Sequence, residues 1–237
     1  MAYNHFMPTS NSEWENVLRA AARLQELVPD AVLVGGTAAA QHAGHRISFV
    51  DDHVLEDLRS RFDELLADLE ATDGWITART KRPVLILGSL DGIETGIRQL
   101  IRRRPLEVQS LTTPQGAALR IPTLEEMLRI KAWLVLKRNA TRDYLDVVAL
   151  AERLGERASE VLAGIDGYYA DQIGPDGRRV STQLIRQLAE PLPYDLSETD
   201  LPTYRKLDRR FQNWDAVAAR CRELATMILD RTARDAP

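Results

Sequence analysis

The stretch VLVGGTAAAQHAGHRISFVDDHV, residues 32–54, decides the fold. Ala31-Val32-Leu33-Val34 is a short apolar run of the kind that forms a buried strand. It leads straight into Gly35-Gly36-Thr37, and a helix of small residues follows from Ala38 to Ala43, stopped by Gly44. Ser48 to Val54 then reads as a second strand, carrying Asp51 and Asp52. Glycines after a strand let a ligand approach the backbone closely, and the free N–H groups at a helix start attract anions. Carboxylates on the neighbouring strand suit Mg²⁺, which bridges the phosphate oxygens of a nucleotide. The pattern therefore predicts a phosphate cradle beside strand-borne acids. Taken alone, the Gly-Gly turn also fits a plain strand-to-helix turn.

Outward from this stretch, the spacing predicts a helix on the N-terminal side. Ser12 and Glu15 form a capping box, and Val17, Leu18, Ala21, Leu24 and Leu27 share one face. Residues 1–9 carry no such pattern. On the other side, Leu55, Leu58, Phe62, Leu65, Leu66 and Leu69 predict an amphipathic helix over 55–69. Strands are expected near 75–80, 83–88, 93–101 and 106–111. A second capping box, Thr123 to Glu126, opens a helix to about Arg138, and another runs from Arg142 to Leu154. Beyond residue 156 the pattern is helical. Pro175 and Gly177 interrupt it, then Pro191, Pro193 and Pro202, before a last helix over about 204–231. The expected architecture is α+β, with a mixed-sheet domain over residues 1–121 and a helical domain over 122–237.

Composition narrows the classes. The chain has 237 residues, 44% hydrophobic and 28% charged, which is ordinary for a globular protein. No apolar run approaches the roughly 18 residues that span a bilayer, and the N-terminus lacks the features of a signal peptide. The single cysteine, Cys221, excludes an internal disulfide and suits a reducing, cytoplasmic setting. A net charge of -4 confines any nucleic-acid binding to a local patch. The densest basic run is Arg102-Arg103-Arg104, with Arg98 nearby; it reads as a guide for an RNA backbone or as a solvated strand end. Neither GxxxxGK[ST] nor GxGxxG occurs.

Three separated motifs carry a resemblance. Gly35-Gly36-Thr37 followed by Arg46-x-Ser48 and Asp52 resembles the first motif of the AbiEii/AbiGii nucleotidyltransferase-like toxins, which read G-G-[ST] and then R-x-S-x-D-x-D. Glu126 and Lys131 resemble that family's E…K motif, and Arg142-Asp143-x-x-Asp146 its R-D-x-x-D motif. The resemblance spans roughly residues 30–155, in order. It implies a polymerase-β-like nucleotidyltransferase fold with a C-terminal helical domain, an NTP substrate and Mg²⁺. It also implies transfer of a nucleoside monophosphate to RNA, plausibly tRNA, by a toxin paired with a separate antitoxin.

Carried onto this sequence, the resemblance assigns nucleotide contacts to Gly35, Gly36, Thr37, Arg46, Ser48, Arg142 and Asp146. It assigns catalytic roles to Asp52, Lys131 and Asp143, and metal binding to Asp52 with Asp51 and Glu94 as further candidates. Asp91, in an Asp-Gly turn, is the alternative to Glu94. Lys131 reads either as a phosphate contact or as the partner of Asp143 and Asp146 on the next helix. One departure matters. The family's first acid falls on Val50. Residues 50 and 52 of a strand share a face, whereas Asp51 points to the other, so Asp51 replaces the missing acid only if the strand is bulged. The expected alternative is a degenerate relative that binds nucleotide or a protein partner. His42, His45 and His53 beside the two aspartates also allow a zinc reading.

Overall fold

The strand that carries Asp52 lies second in a five-stranded sheet in the computed structural model, which describes residues 11–113, 115–173 and 177–234. The early chain runs α1 (Asn11–Leu27), β1 (Val32–Val34), α2 (Gly35–Ala43), β2 (Asp51–Leu55), α3 (Leu58–Glu70), β3 (Trp75–Lys81), β4 (Leu85–Leu90) and β5 (Ile93–Gln99). The sheet order is β1-β2-β5-β4-β3, with β2 and β5 parallel and the other neighbours antiparallel. The sheet is mixed, as expected. The 1–9 segment and Pro175 of the sequence reading lie outside the described residues, and no side chain is described for Ser12.

Alternation along the strands sorts the two faces of the sheet. Leu55, Ile86, Leu90 and Ile97 point to one side and pack with Leu24 and Val28 of α1 and Leu58, Phe62, Leu65 and Leu69 of α3. That apolar cluster is the core of the first unit. Asp52 and Val54, between the buried positions of β2, face the other way. The expected second strand and third helix are shifted here. Leu55 is the last strand residue, and its carbonyl accepts from Leu100 N at 2.7 Å, so α3 begins only at Leu58. Leu55 still belongs to the core, but as a strand residue.

A separate two-stranded ribbon pairs β6 (Val108–Thr112) with β7 (Ala118–Pro122). The β7 strand has no counterpart in the sequence reading. Its alternation is short, with Leu119 and Ile121 buried. Gln25 of α1 fastens it, taking Arg120 N at 2.8 Å and donating to Arg120 O at 2.9 Å.

The helical region comprises α4 (Leu124–Arg138), α5 (Thr141–Leu154), α6 (Arg157–Ala163), α7 (Val180–Ala189) and α8 (Trp214–Arg234). The break between α4 and α5 is Asn139, at φ 49°. The last helix starts ten residues later than its periodicity suggests. Residues Leu201–Lys206 and Arg209–Phe211 form tight 3₁₀ turns instead, and Arg205 and Lys206 have positive φ. Tyr144, Phe211, Leu184, Leu188 and Ile228 are buried in this region. Cys221 is buried with them, and burial pushes its thiol up to about 12, so it behaves as a small apolar residue.

The chain divides into two compact units. One comprises the chain up to Ile101 together with Glu107–Thr123; the other comprises Arg102–Leu106 and the chain from Leu124 onward. The expected division falls at 121/122; in the structure 102–106 groups with the helices. Among the described residues no helix is long and apolar enough to cross a membrane.

Candidate functional site

The turn after β1 is built by two glycines with different duties. Gly35 adopts φ 71°, and a β-carbon there would lie 3.2 Å from Asp52 Oδ2. Gly36 has an ordinary φ, but its β-carbon would fall 2.7 Å from Arg46 Nη2 and 2.9 Å from Ser48 Oγ. The glycines thus let the Asp52 carboxylate, the Arg46 guanidinium and the Ser48 hydroxyl close on the start of α2. No side chain caps that helix, so its first-turn N–H groups remain available. Thr37 is fully buried and spends its hydroxyl on Val50 O at 2.6 Å, with Ser48 Oγ donating to the same carbonyl at 3.3 Å. Both side chains therefore stitch the 46–50 segment to the helix start.

The pairing of β2 with β5 settles which acids share this place. Asp52 is opposite Gly96 and Asp51 opposite Thr95, with no break in register through β2. Without a bulge, Asp51 is on the core face, wholly buried, while Asp52 lies on the face of the Gly35 turn. Asp51, expected as a further metal ligand, therefore faces the core and not the turn. Burial pushes its carboxyl up to about 7, against the pull of the neighbouring Thr95 hydroxyl. Next to it, buried His53 is pushed down to about 3. Their 3.8 Å separation is thus no ion pair, since burial favours the neutral form of each.

Asp52 has a cation beside it. Arg98 Nε lies 3.3 Å from Asp52 Oδ1, two residues along β5 from Gly96. Glu94, on the same strand and face, is exposed. The β2–β5 pairing begins at Asp51 and Thr95, so Val50 lies just before it. Among the described residues no three of His, Cys, Asp and Glu converge where they could hold a metal ion. Of the expected ligands, Asp52 is the one shown beside the turn, where two-metal chemistry needs a second acid. The zinc reading is not met either: His42 bonds Pro122 O at 2.8 Å, and His53 is enclosed in the core. Asp91 occupies its turn at φ 53° and pairs with Arg23.

The motifs of the helical unit form two buried charge clusters. Lys131 Nζ lies 2.7 Å from Asp146 Oδ2 and 3.6 Å from Asp143 Oδ1, all three essentially without solvent contact. Burial raises the Asp143 carboxyl, and Lys131 opposes that shift. Lys131, Asp143 and Asp146, all expected at the site, are thus buried together, and their ion cluster joins α4 to α5. Arg142 is exposed on α5. Glu126 is also buried and pairs with Arg102 at 2.6 Å and Arg129 at 3.1 Å. Sequence reasoning missed Arg98 and Arg102 as ion-pair partners, because each contact depends on distant chain.

No family model matches the chain. It is 31% identical over 234 residues to the heme uptake protein MmpL11 of Mycobacterium tuberculosis, an alignment covering 90% of this chain and 22% of that protein. The chain thus spans about a fifth of the length of the curated relatives it matches. Among solved structures, JHP933 from Helicobacter pylori aligns over 97% of this chain and 96% of its own, with a TM-score of 0.54 and 14% identity. The antibiotic-resistance factor ANT(2'')-Ia aligns over 66% of this chain and 93% of its own, with a TM-score of 0.50 and 13% identity. The fold is nucleotidyltransferase-like, an α+β architecture with a mixed sheet and a C-terminal helical region.

Proposed function

We propose that this chain binds the phosphates of a nucleotide at the Gly35-Gly36 turn and is a catalytically degenerate relative of the nucleotidyltransferases. One observation carries the reading: of the strand acids only Asp52 lies at the turn, and Arg98 neutralises it. Arg46 lies close to Gly36, and Arg98 beside Asp52, at a helix start that no side chain caps. Guanidinium groups and helix-start N–H donors attract phosphate. Two-metal transfer needs more than one carboxylate, and Val50 removes the first.

Transfer of a nucleoside monophosphate to RNA, plausibly tRNA, by a toxin restrained by an antitoxin is the activity this scaffold would regain with an acid at position 50. Calorimetry with ATP should give the same binding in EDTA as in excess Mg²⁺. Incubation with labelled NTPs and total tRNA should transfer no label. Val50→Asp, restoring the acid two residues before Asp52, should make transfer appear and make it Mg²⁺-dependent. Label transfer by the unaltered chain would overturn the degenerate reading, and absence of ATP binding in both buffers would overturn the nucleotide reading.

A second reading is favoured by the 31% identity to part of MmpL11. The same nucleotide-binding unit would serve as a regulatory module of membrane transport. ATP-dependent co-sedimentation with vesicles carrying the full-length relative supports this reading, and ATP-independent behaviour counts against it.

A further inference from the structure

The segment after α7 displays two large apolar side chains on a rigid support. Leu192 and Tyr194 are 73% and 72% exposed, whereas Pro191 and Pro193 between and before them are buried. This is not a loose loop. Asn139 Nδ2 donates to Leu192 O at 2.8 Å, and Tyr194 N donates to Asn139 O at 3.0 Å. Tyr144 Oη and Gln187 Nε2 in turn fix Asn139 Oδ1, at 2.6 and 2.8 Å. Asp195 Oδ1 accepts from both Thr141 N and Thr141 Oγ1 at 2.7 Å. A pair of apolar side chains held ready in water is costly to display and cheap to bind, since the ordering entropy is already spent. The surroundings are acidic: between Arg186 and Arg205 the chain carries Glu190, Asp195, Glu198 and Asp200 and no basic residue.

The same unit holds a complementary surface. A groove of about 730 Å³ runs between α7 and the end of α8, with Ile185 and half-exposed Leu229 on its walls. Arg179 and Arg186 stand on it, and neither has an ion-pair partner among the described residues. Asp166, the groove's one acid, is engaged by Ser181 N at 2.9 Å and Ser181 Oγ at 2.6 Å. The groove mixes apolar walls with Ser181, Thr182 and Thr232 and carries two arginines; the display is apolar at its tip and acidic at its base. Arg179 precedes α7 and Arg186 lies in its last turn, while Leu192 and Tyr194 follow the helix on a segment held by Asn139.

We propose that copies of this chain associate head to tail, Leu192 and Tyr194 of one copy seating in the Arg179–Arg186 groove of the next. Such a contact is heterologous, so it propagates into rings or open chains. Its area falls in the small class, below about 1,200 Å², so association is reversible.

Sedimentation velocity tests this across roughly micromolar to millimolar concentrations. The full chain should sediment faster as concentration rises, and less so in high salt, which screens the charged rim. Leu192→Ser/Tyr194→Ser and Arg179→Glu/Arg186→Glu should each stay monomeric, with circular dichroism and melting unchanged because all four side chains are exposed. Mixed in equal amounts, the two variants should form a one-to-one dimer and nothing larger, since one retains the groove and the other the display. A full chain that is monomeric throughout overturns the proposal. So do variants that associate like the parent, or a mixture that stays monomeric.

Discussion

Asp51 and His53 occupy the core face of β2, and their titrations pull stability in opposite directions. The Asp51 carboxyl sits at about 7 in the folded chain, against about 3.9 in an unfolded one. Across that interval the folded state holds a proton the unfolded state has lost, so stability is full at low pH and falls as pH rises through 7. His53 sits at about 3, against about 6.5 unfolded. There the unfolded state holds the extra proton, so stability is full above pH ~6.5 and falls as pH drops toward 3. Between pH ~4 and ~6.5 the two slopes offset each other. Asp51→Asn should therefore expose the His53 slope, with the urea midpoint falling more steeply than the parent's from pH 7 to 4.5. His53→Asn should expose the opposite slope, with a midpoint that falls from pH 4.5 to 7. Parallel midpoint curves for parent and both variants would contradict this account. The partner position, Asp52, was readable from strand alternation alone, because a strand without a bulge must put residues 51 and 52 on opposite faces.

At the scale of elements, caps and breaks decide how α4, α5 and the 190–196 segment fit together. No residue of the α4–α5 turn caps α5 through its side chain. Asp195 does so from 54 residues away, accepting from the Thr141 backbone and hydroxyl. Its removal should cost about 1–2 kcal/mol, as for other N-cap losses. Asp195→Ala should lower the unfolding free energy from urea titration by that amount, while Asp195→Asn, which keeps the acceptor oxygen, should restore most of it. Equal loss in both variants would mean that charge rather than capping is at work. This cap illustrates what the sequence made legible and what it did not. The helices with strong 3.6-residue periodicity, α1 and α5, the α4 helix opened by its capping-box sequence, and the strand–Gly-Gly–helix turn fall where the pattern puts them, because local spacing and glycine chemistry suffice. The β7 strand, the 3₁₀ turns before α8 and the cap on α5 were not legible, since each depends on a partner far along the chain. The same holds for the site. Gly35, Gly36 and Asp52 were visible as a motif. The Arg98 contact, which sets a cation beside Asp52, needed the β2–β5 pairing.

At the scale of the whole molecule, the short segment Arg102–Leu106 decides where one folding unit ends. By sequence it is a basic run at the end of the strands, yet it groups with the helices. Arg102 is nearly inaccessible and pairs with buried Glu126 at 2.6 Å, and its guanidinium lies 5.0 Å over the Tyr169 ring. Its Nε and Nη2 hold the carbonyls of Arg104 and Pro105 at 2.9 and 3.0 Å. Arg104 and Arg129 stack on the Tyr168 ring, each at 3.7 Å. A buried carboxylate that loses a partner typically costs about 3–5 kcal/mol, and here Arg129 is left to offset part of that for Glu126. The helical unit therefore should not be separable at Leu124. A fragment covering 102–237 should unfold cooperatively on heating, followed by circular dichroism. A fragment covering 124–237, which has every helix from α4 onward but not Arg102, should melt at a markedly lower temperature or show no transition. Arg102→Met in the longer fragment should reproduce most of that loss, which separates the buried pair from any effect of chain length. Equal melting of the two fragments would show that the 102–106 segment adds nothing to the unit it packs with.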